Sequence, residues 1–250
     1  MAGHSKWAQI KRKKAVTDSR RGKLWTKLLK EVTVAAKLGG ADPAGNPRRR
    51  VGIQDAKSAN VPNDNIERAV KRGAGLLDGV SYEELTYEGY APGGVAILVE
   101  TLTDNKNRTV SELRHLLTKS GGNLGENGCV AWMFDKRGYF ALDKSSLSED
   151  AFMELALELG VEDAGVQDDV YELYCAPEDY ANVRDELESR EQPTVSQELA
   201  MLPKSEVDLE PEVAVKVLKL VDALEDQDDV QNVWSNLNVS AEIMAAVERA

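Results

Sequence analysis

The sequence predicts an α+β protein: a helical N-terminal domain followed by two α/β sandwich domains, the last ferredoxin-like and inserted in the middle one. Three observations carry this. Apolar residues keep a three-four helical spacing up to about residue 72, and the period changes near residue 80. Between Gly138 and Leu202 the elements run βαββαβ, the order of a ferredoxin-like sheet with two helices on one face. A helix and a strand after residue 208 have no sheet of their own, so they complete the ββαβ unit of residues 80–135. The expected domains are therefore 1–75, 80–135 together with 208–240, and 136–207.

Each element has its local reason. Asp18 to Lys37 reads as a helix because Trp25, Leu28, Leu29, Val32 and Ala36 line one stripe, and Gly39-Gly40 stops it. Arg48 to Asn60 is a second helix, ended by Val61-Pro62. A third, capped by Asn63 or a neighbour, runs to about Arg72 before Gly73-Ala-Gly75. Tyr82–Tyr90 and Val95–Leu102 read as strands joined at Pro92-Gly93-Gly94. Thr109-Val-Ser-Glu112 has the form of a capping box, with Leu113, Leu116 and Leu117 behind it, and Cys129–Phe134 reads as a third strand. In the ferredoxin-like segment, the strands are Tyr139–Leu142, Ala164–Gln167, Val170–Cys175 and Ser196–Leu202. Its helices run from Ser146-Leu-Ser-Glu149 through Leu159 and over Pro177–Glu188. Val213–Leu224 is a helix and Val230–Ser235 a strand.

Charge points to function. The 250 residues carry 31 Lys plus Arg and 43 Asp plus Glu, a net of −12. Residues 1–75 hold 18 basic and 6 acidic residues, a net of +12, so the rest of the chain is strongly acidic. Such asymmetry suits a polyanion as the partner of the basic part. The candidate contacts to nucleic acid are Lys6, Lys11, Arg12, Lys13, Lys14, Arg20, Arg21, Lys23, Lys27, Lys30, Arg48, Arg49 and Arg50, with Trp7 as a stacking side chain. On the first helix, Lys23, Lys27, Lys30 and Lys37 share a face. Three arginines at a helix N-terminus oppose the macrodipole, which an anionic partner would explain. The alternative is that the two halves of the chain pair with each other, or that these are solvated helix faces. The loop Thr103–Arg108 offers Lys106 and Arg108 at a tip, although Asp104, Asn105 and Asn107 equally suit a self-bonded turn.

Other classes are excluded or weak. No apolar run approaches the length that spans a bilayer, and Met1–Lys14 lacks the apolar core of a secretory signal, so the expectation is a cytoplasmic protein without a membrane partner. Cys129 and Cys175 cannot build a disulfide framework or a four-ligand zinc site. His4 and His115 lie far from any nucleophile motif, and no Walker loop, dinucleotide fingerprint or metalloprotease helix is present. Glu162, Asp163, Asp168 and Asp169 lack calcium-loop spacing. The expectation is no enzyme, no cofactor, no metal and no small-molecule substrate. Arg48–Asn60, with Gln54, Lys57 and Ser58, is a weak candidate for a base-reading helix.

Several long motifs resemble those of the YebC/PmpR family: Met1 to Trp7, Arg21-Gly-Lys23, Asn60 to Arg68, Tyr87 to Gly94, Thr103 to Thr109, and Gly121-Gly-Asn through Val130-Ala-Trp132. The resemblance spans nearly the whole chain. Lys106 stands where many members carry arginine, and Glu126 where a small or hydroxyl residue is common. Membership implies three domains and a non-enzymatic regulator of gene expression. It implies a DNA-binding transcriptional regulator, or, as in mitochondrial relatives, a translational activator. The implied partners are DNA or ribosomal RNA, with the ribosome or the transcription machinery behind them; the alternative on charge alone is a protein-interaction module whose basic arm recruits an acidic partner.

Overall fold

The computed structural model describes residues 18–39, 45–167 and 169–249. Among the described residues three helices come first: α1 (Asp18–Gly39), α2 (Pro47–Ser58) and α3 (Asn63–Gly73). They close over Ala56, Val61 and Ile66, with Trp25, Leu28 and Leu29 of the α1 stripe packed against them. The Trp25 indole N–H donates to Ala59 O at 2.9 Å, so the ring is a strut between α1 and the end of α2. Asn46 caps α2 through the Arg49 amide (3.0 Å) and also donates to Ala35 O at 2.8 Å. At Gly73 a Cβ would fall 2.2 Å from Thr33 O, so only glycine lets α3 end this close to α1. The cap of α3 is Pro62, without a side-chain bond, and not Asn63.

The first sheet contains β1 (Glu83–Tyr90), β2 (Ala96–Thr103), the two-residue β3 (Asn123–Leu124) and β8 (Val230–Ser235), in the order β3-β1-β2-β8 and antiparallel throughout. The second holds β4 (Phe134–Asp143), β5 (Asp163–Val166), β6 (Val170–Cys175) and β7 (Thr194–Pro203), in the order β5-β6-β4-β7. That is the ferredoxin-like order, with α5 (Glu149–Leu159) and α6 (Tyr180–Ser189) as its crossovers. The chain leaves the first sheet, builds the second, and returns through α7 (Pro211–Glu225) to add β8 beside β2.

The two sheets pack face to face, with helices outside both. Ala96 and Leu98 of β2 join Tyr139 and Ala141 of β4, Tyr174 and Trp234 in the core between the sheets. Their neighbours Ile97 and Val99 point the other way, onto Leu113 and Leu117 of α4 (Lys106–Lys119) and Leu220 and Leu224 of α7. Phe140 and Leu142 likewise face Phe152 of α5 and Leu187 of α6. A strand buried on both faces must be apolar at consecutive positions. That is why 95–102 reads as an unbroken run.

Three local expectations are corrected. The expected strand Cys129–Phe134 is corrected: Ala131–Met133 is a single 3₁₀ turn, only Phe134 is in a strand, as the first residue of β4, and the third strand of this unit is β3. Helix α4 begins a turn before Thr109, because Asn105 caps it by accepting from the Arg108 amide at 3.1 Å. The last helix, α8 (Ala241–Arg249), sets Ile243 into the α7 core and had no counterpart in the sequence reading.

Candidate nucleic-acid interface

Lys6, Trp7, Lys11, Arg12, Lys13 and Lys14 lie outside the described residues. Arg20 and Arg21 fall in the first turn of α1, their side chains also outside them. Lys23, Lys27 and Lys30 of the α1 basic stripe engage the chain itself, whereas Lys37, near the end of the helix, stays exposed and donates to the Ser81 hydroxyl at 2.7 Å. Lys23 Nζ donates to Asp226 O at 3.1 Å and pairs with its carboxylate at 3.3 Å, and Lys27 Nζ donates to Glu225 O at 2.6 Å. Both thus sit against the C-terminal end of α7, where unpaired carbonyls and the macrodipole attract cations. Lys30 is only 8% exposed, and its ammonium bonds Asp228 O and Asp229 Oδ1, each at 2.8 Å. Lys30 is therefore no open phosphate contact: the protein's own carboxylate has taken it.

The α2 arginines follow suit. Arg48 forms a fork to Glu31 (2.6 and 3.0 Å) and another to Glu84 (3.0 and 3.1 Å), and the Glu31 bond is the chief reason its pKa is raised further. Arg50 pairs with Asp185 of α6 at 3.2 Å, and Arg184 of α6 reaches back to Asp55 at 2.7 Å. The charges that oppose the α2 dipole are thus balanced within the chain, on α1, β1 and α6. An external anion is not needed to explain them.

The loop before α4 converges on one buried carboxylate that the sequence reading passed over. Asp229, 5% exposed, accepts at Oδ2 from Arg108 (2.6 Å) and lies 3.0 and 2.9 Å from the Thr103 and Thr109 hydroxyls, while Oδ1 takes Lys30. Burial pushes this carboxyl up, but the bonds from Arg108, Lys30 and Thr109 outweigh burial and hold it at about 2. Arg108 also bonds Asp104 at 2.8 Å, so the loop is largely a self-bonded turn. Its outward cation is Lys106, exposed and outside ion-pair range of any described carboxylate.

A second buried carboxylate shapes the neighbouring loop. Glu88 accepts the amides of Gly128 (2.6 Å), Val130 (2.7 Å) and Ala131 (2.7 Å). Burial raises its pKa and these three bonds bring it below the usual carboxylate range. The loop so fixed holds the Trp132 ring out to solvent, 66% exposed.

Apart from Lys37, the outward-facing cations among the described side chains of the helical region lie on α2 and α3. Lys57, Arg68 and Arg72 are exposed with no described carboxylate in ion-pair range, and Lys71 is held only by a 3.7 Å contact to Glu67. Arg49, 8% exposed, lines a groove of about 470 Å³ between the two helices together with Lys57 and Lys71. Among the described residues no cluster of His, Cys, Asp and Glu could hold a metal, and no helix is long and apolar enough to cross a membrane.

Residues 5–76 match the model of the TACO1/YebC protein N-terminal domain, and residues 82–237 that of the TACO1/YebC second and third domain. The chain belongs to the TACO1/YebC family. Among similar family members, a "Probable transcriptional regulatory protein" of Desulfosudis oleivorans is 53% identical over 240 residues, covering 96% of this chain and 98% of that one. A protein of the same description from Chlorobaculum parvum is 52% identical over 249 residues, covering 99% of each. The crystal structure of a conserved hypothetical protein from Aquifex aeolicus superposes with a TM-score of 0.83 at 49% identity, covering 92% of this chain and 96% of that one. The TACO1/YebC fold thus reaches both sheets and the helices before them.

Proposed function

We propose that the chain is a cytoplasmic, non-enzymatic regulator of gene expression that works by binding nucleic acid, as a DNA-binding transcriptional regulator. The observation that carries the reading is the segregation of charge. A region of net +12 is joined to an acidic body, and after its inward pairs are accounted for it still exposes Lys37, Lys57, Arg68, Lys71 and Arg72. Lys106 is a further outward cation, and the basic run Lys6–Arg21 adds to the same polarity of the sequence. That relatives are described as probable transcriptional regulatory proteins supports regulation. The acidic body repels phosphate, so contact is confined to the basic side and oriented by it.

RNA attracts the same cations, and a ribosome-bound translational role would use them equally. The test is fluorescence anisotropy of the full chain with a labelled DNA duplex and, separately, a structured RNA, from about 50 to about 200 mM salt. Holding about six phosphates implies a loss of roughly a thousandfold in affinity over that range. Absence of binding to both at the lowest salt, or affinity indifferent to salt, would overturn the proposal. The tighter of the two ligands identifies the class of target.

A further inference from the structure

The groove between α2 and α3 combines two chemistries that a bare charged surface does not need together. Its floor is aliphatic, formed by Ile53, Ile66 and Val70. Its cations are Arg49, Lys57 and Lys71, and Asn63 adds an amide at the start of α3. The volume, about 470 Å³, lies within the range of small-molecule pockets, roughly 300–1,000 Å³. Glu67 is the one carboxylate on the lining, and it holds Lys71 at 3.7 Å between exposed side chains, a contact an incoming anion can displace.

We infer that this groove seats one unstacked nucleotide of a single-stranded segment, its base on the aliphatic floor and its phosphate among Lys57, Lys71 and Arg49. This rests on the nucleic-acid reading above and sharpens it. A duplex presents phosphates outward and keeps its bases stacked inside, so it would leave the aliphatic floor unfilled and exposed to water. A free phosphate would desolvate against three branched aliphatic side chains for no return. A nucleotide released from its stack satisfies both halves, as single-stranded loops do when their bases splay onto a protein surface. Asn63 carries a donor and an acceptor on one planar group, the pattern that can meet a base edge. An acidic peptide would match the cations but offers the floor no flat apolar face.

The test uses the full chain and anisotropy with a labelled single strand and the corresponding duplex, with thermal melting of every variant. Lys57→Gln with Lys71→Gln should lower single-strand affinity roughly tenfold and reduce the salt slope by about two phosphates' worth. Val70→Asn should cost roughly fivefold on the single strand while leaving the salt slope unchanged, because an apolar contact releases no counterion. Duplex affinity should change less than twofold with Val70→Asn. Equal losses on strand and duplex with Val70→Asn, or unchanged single-strand affinity in either variant of native melting temperature, would overturn the groove assignment. So would displacement of the strand by polyglutamate at matched charge, which would mark the groove as a site for acidic peptide. If the unmutated chain binds neither strand nor duplex, the functional proposal falls as well. If it binds and the variants bind equally, the groove alone falls.

Discussion

Asp229→Asn is the sharpest test of how the helical region is held. The substitution keeps the shape of the side chain and removes its charge, leaving the Lys30 ammonium buried without a carboxylate, held by Asp228 O at 2.8 Å, Leu102 O at 3.5 Å and the face of the Tyr82 ring 5.4 Å away. Removing one partner of a buried ion pair costs about 3–5 kcal/mol. Two features reduce this here. Arg108 is 44% exposed at its side chain and keeps Asp104, and an amide oxygen still accepts from the threonine hydroxyls. The titration gives an independent figure: a carboxyl lowered from 3.8 to about 2 contributes on the order of 2 kcal/mol. The expected loss at neutral pH is therefore about 2–3 kcal/mol.

The pH dependence fixes the sign. A carboxyl whose folded pKa is depressed stabilises the fold above its unfolded value and loses that contribution as pH falls through the folded one. The gap between native and Asp229→Asn proteins should be constant above about pH 5 and close progressively between 3.8 and about 2. Urea unfolding followed by tryptophan emission and circular dichroism measures it. Hydrogen exchange should show added opening in α1, because Lys30 is its anchor to this carboxylate. A loss below about 0.5 kcal/mol at pH 7, or a gap that persists unchanged at pH 3, would refute the assignment of Asp229 as the junction.

Lys23→Glu with Lys27→Glu places two carboxylates against the carbonyl end of α7. It should lower stability by about 1–2 kcal/mol in urea unfolding, whatever it does to nucleic-acid affinity. Glu88→Gln should cost about 1–3 kcal/mol and change Trp132 emission as the loop loosens. Its penalty should shrink as pH falls below the ordinary glutamate range, since the depressed Glu88 carboxyl contributes only above it. Gly73→Ala drives a Cβ into Thr33 O and should cost about 1–3 kcal/mol in thermal melting, without altering the nucleic-acid salt slope.

The ferredoxin-like segment was legible because its signals are local. Ser148 does cap α5, accepting from Ala151 N at 3.3 Å, and Val170–Cys175 is a strand over the span its residues suggested. Elements whose cause is distant were not legible. Cys129–Phe134 has the composition of a strand, but its backbone amides are bound to a carboxylate on β1, some forty residues back, which bends it into a turn. β3 has two residues, too few for any period. The cations of α1 were recognisable as a stripe, yet their partners, Glu225 to Asp229, lie about two hundred residues away in an acidic run that reads as ordinary surface. The position of Asp229 directly before Val230, at the start of a strand, is the one signal in that run that could have singled it out.

The basic region therefore serves two purposes with one kind of residue, and burial is what separates them. Lys30 and Arg48 meet carboxylates at hydrogen-bond distance, Lys30 in a nearly closed site, whereas Lys57, Arg68 and Arg72 stand in water. Screening acts strongly on charges separated through solvent and weakly on buried pairs. Salt that dissolves a phosphate contact should leave the Lys30–Asp229 junction in place, so the helical region stays docked while its outer face releases a ligand. Sequence composition merges these groups into a single positive charge. Their partners distinguish them, and the partners are set by the fold: α7 delivers the Glu225–Asp229 turn to the inner side of α1, and among the described residues Glu67 is the one carboxylate that lines the groove between α2 and α3.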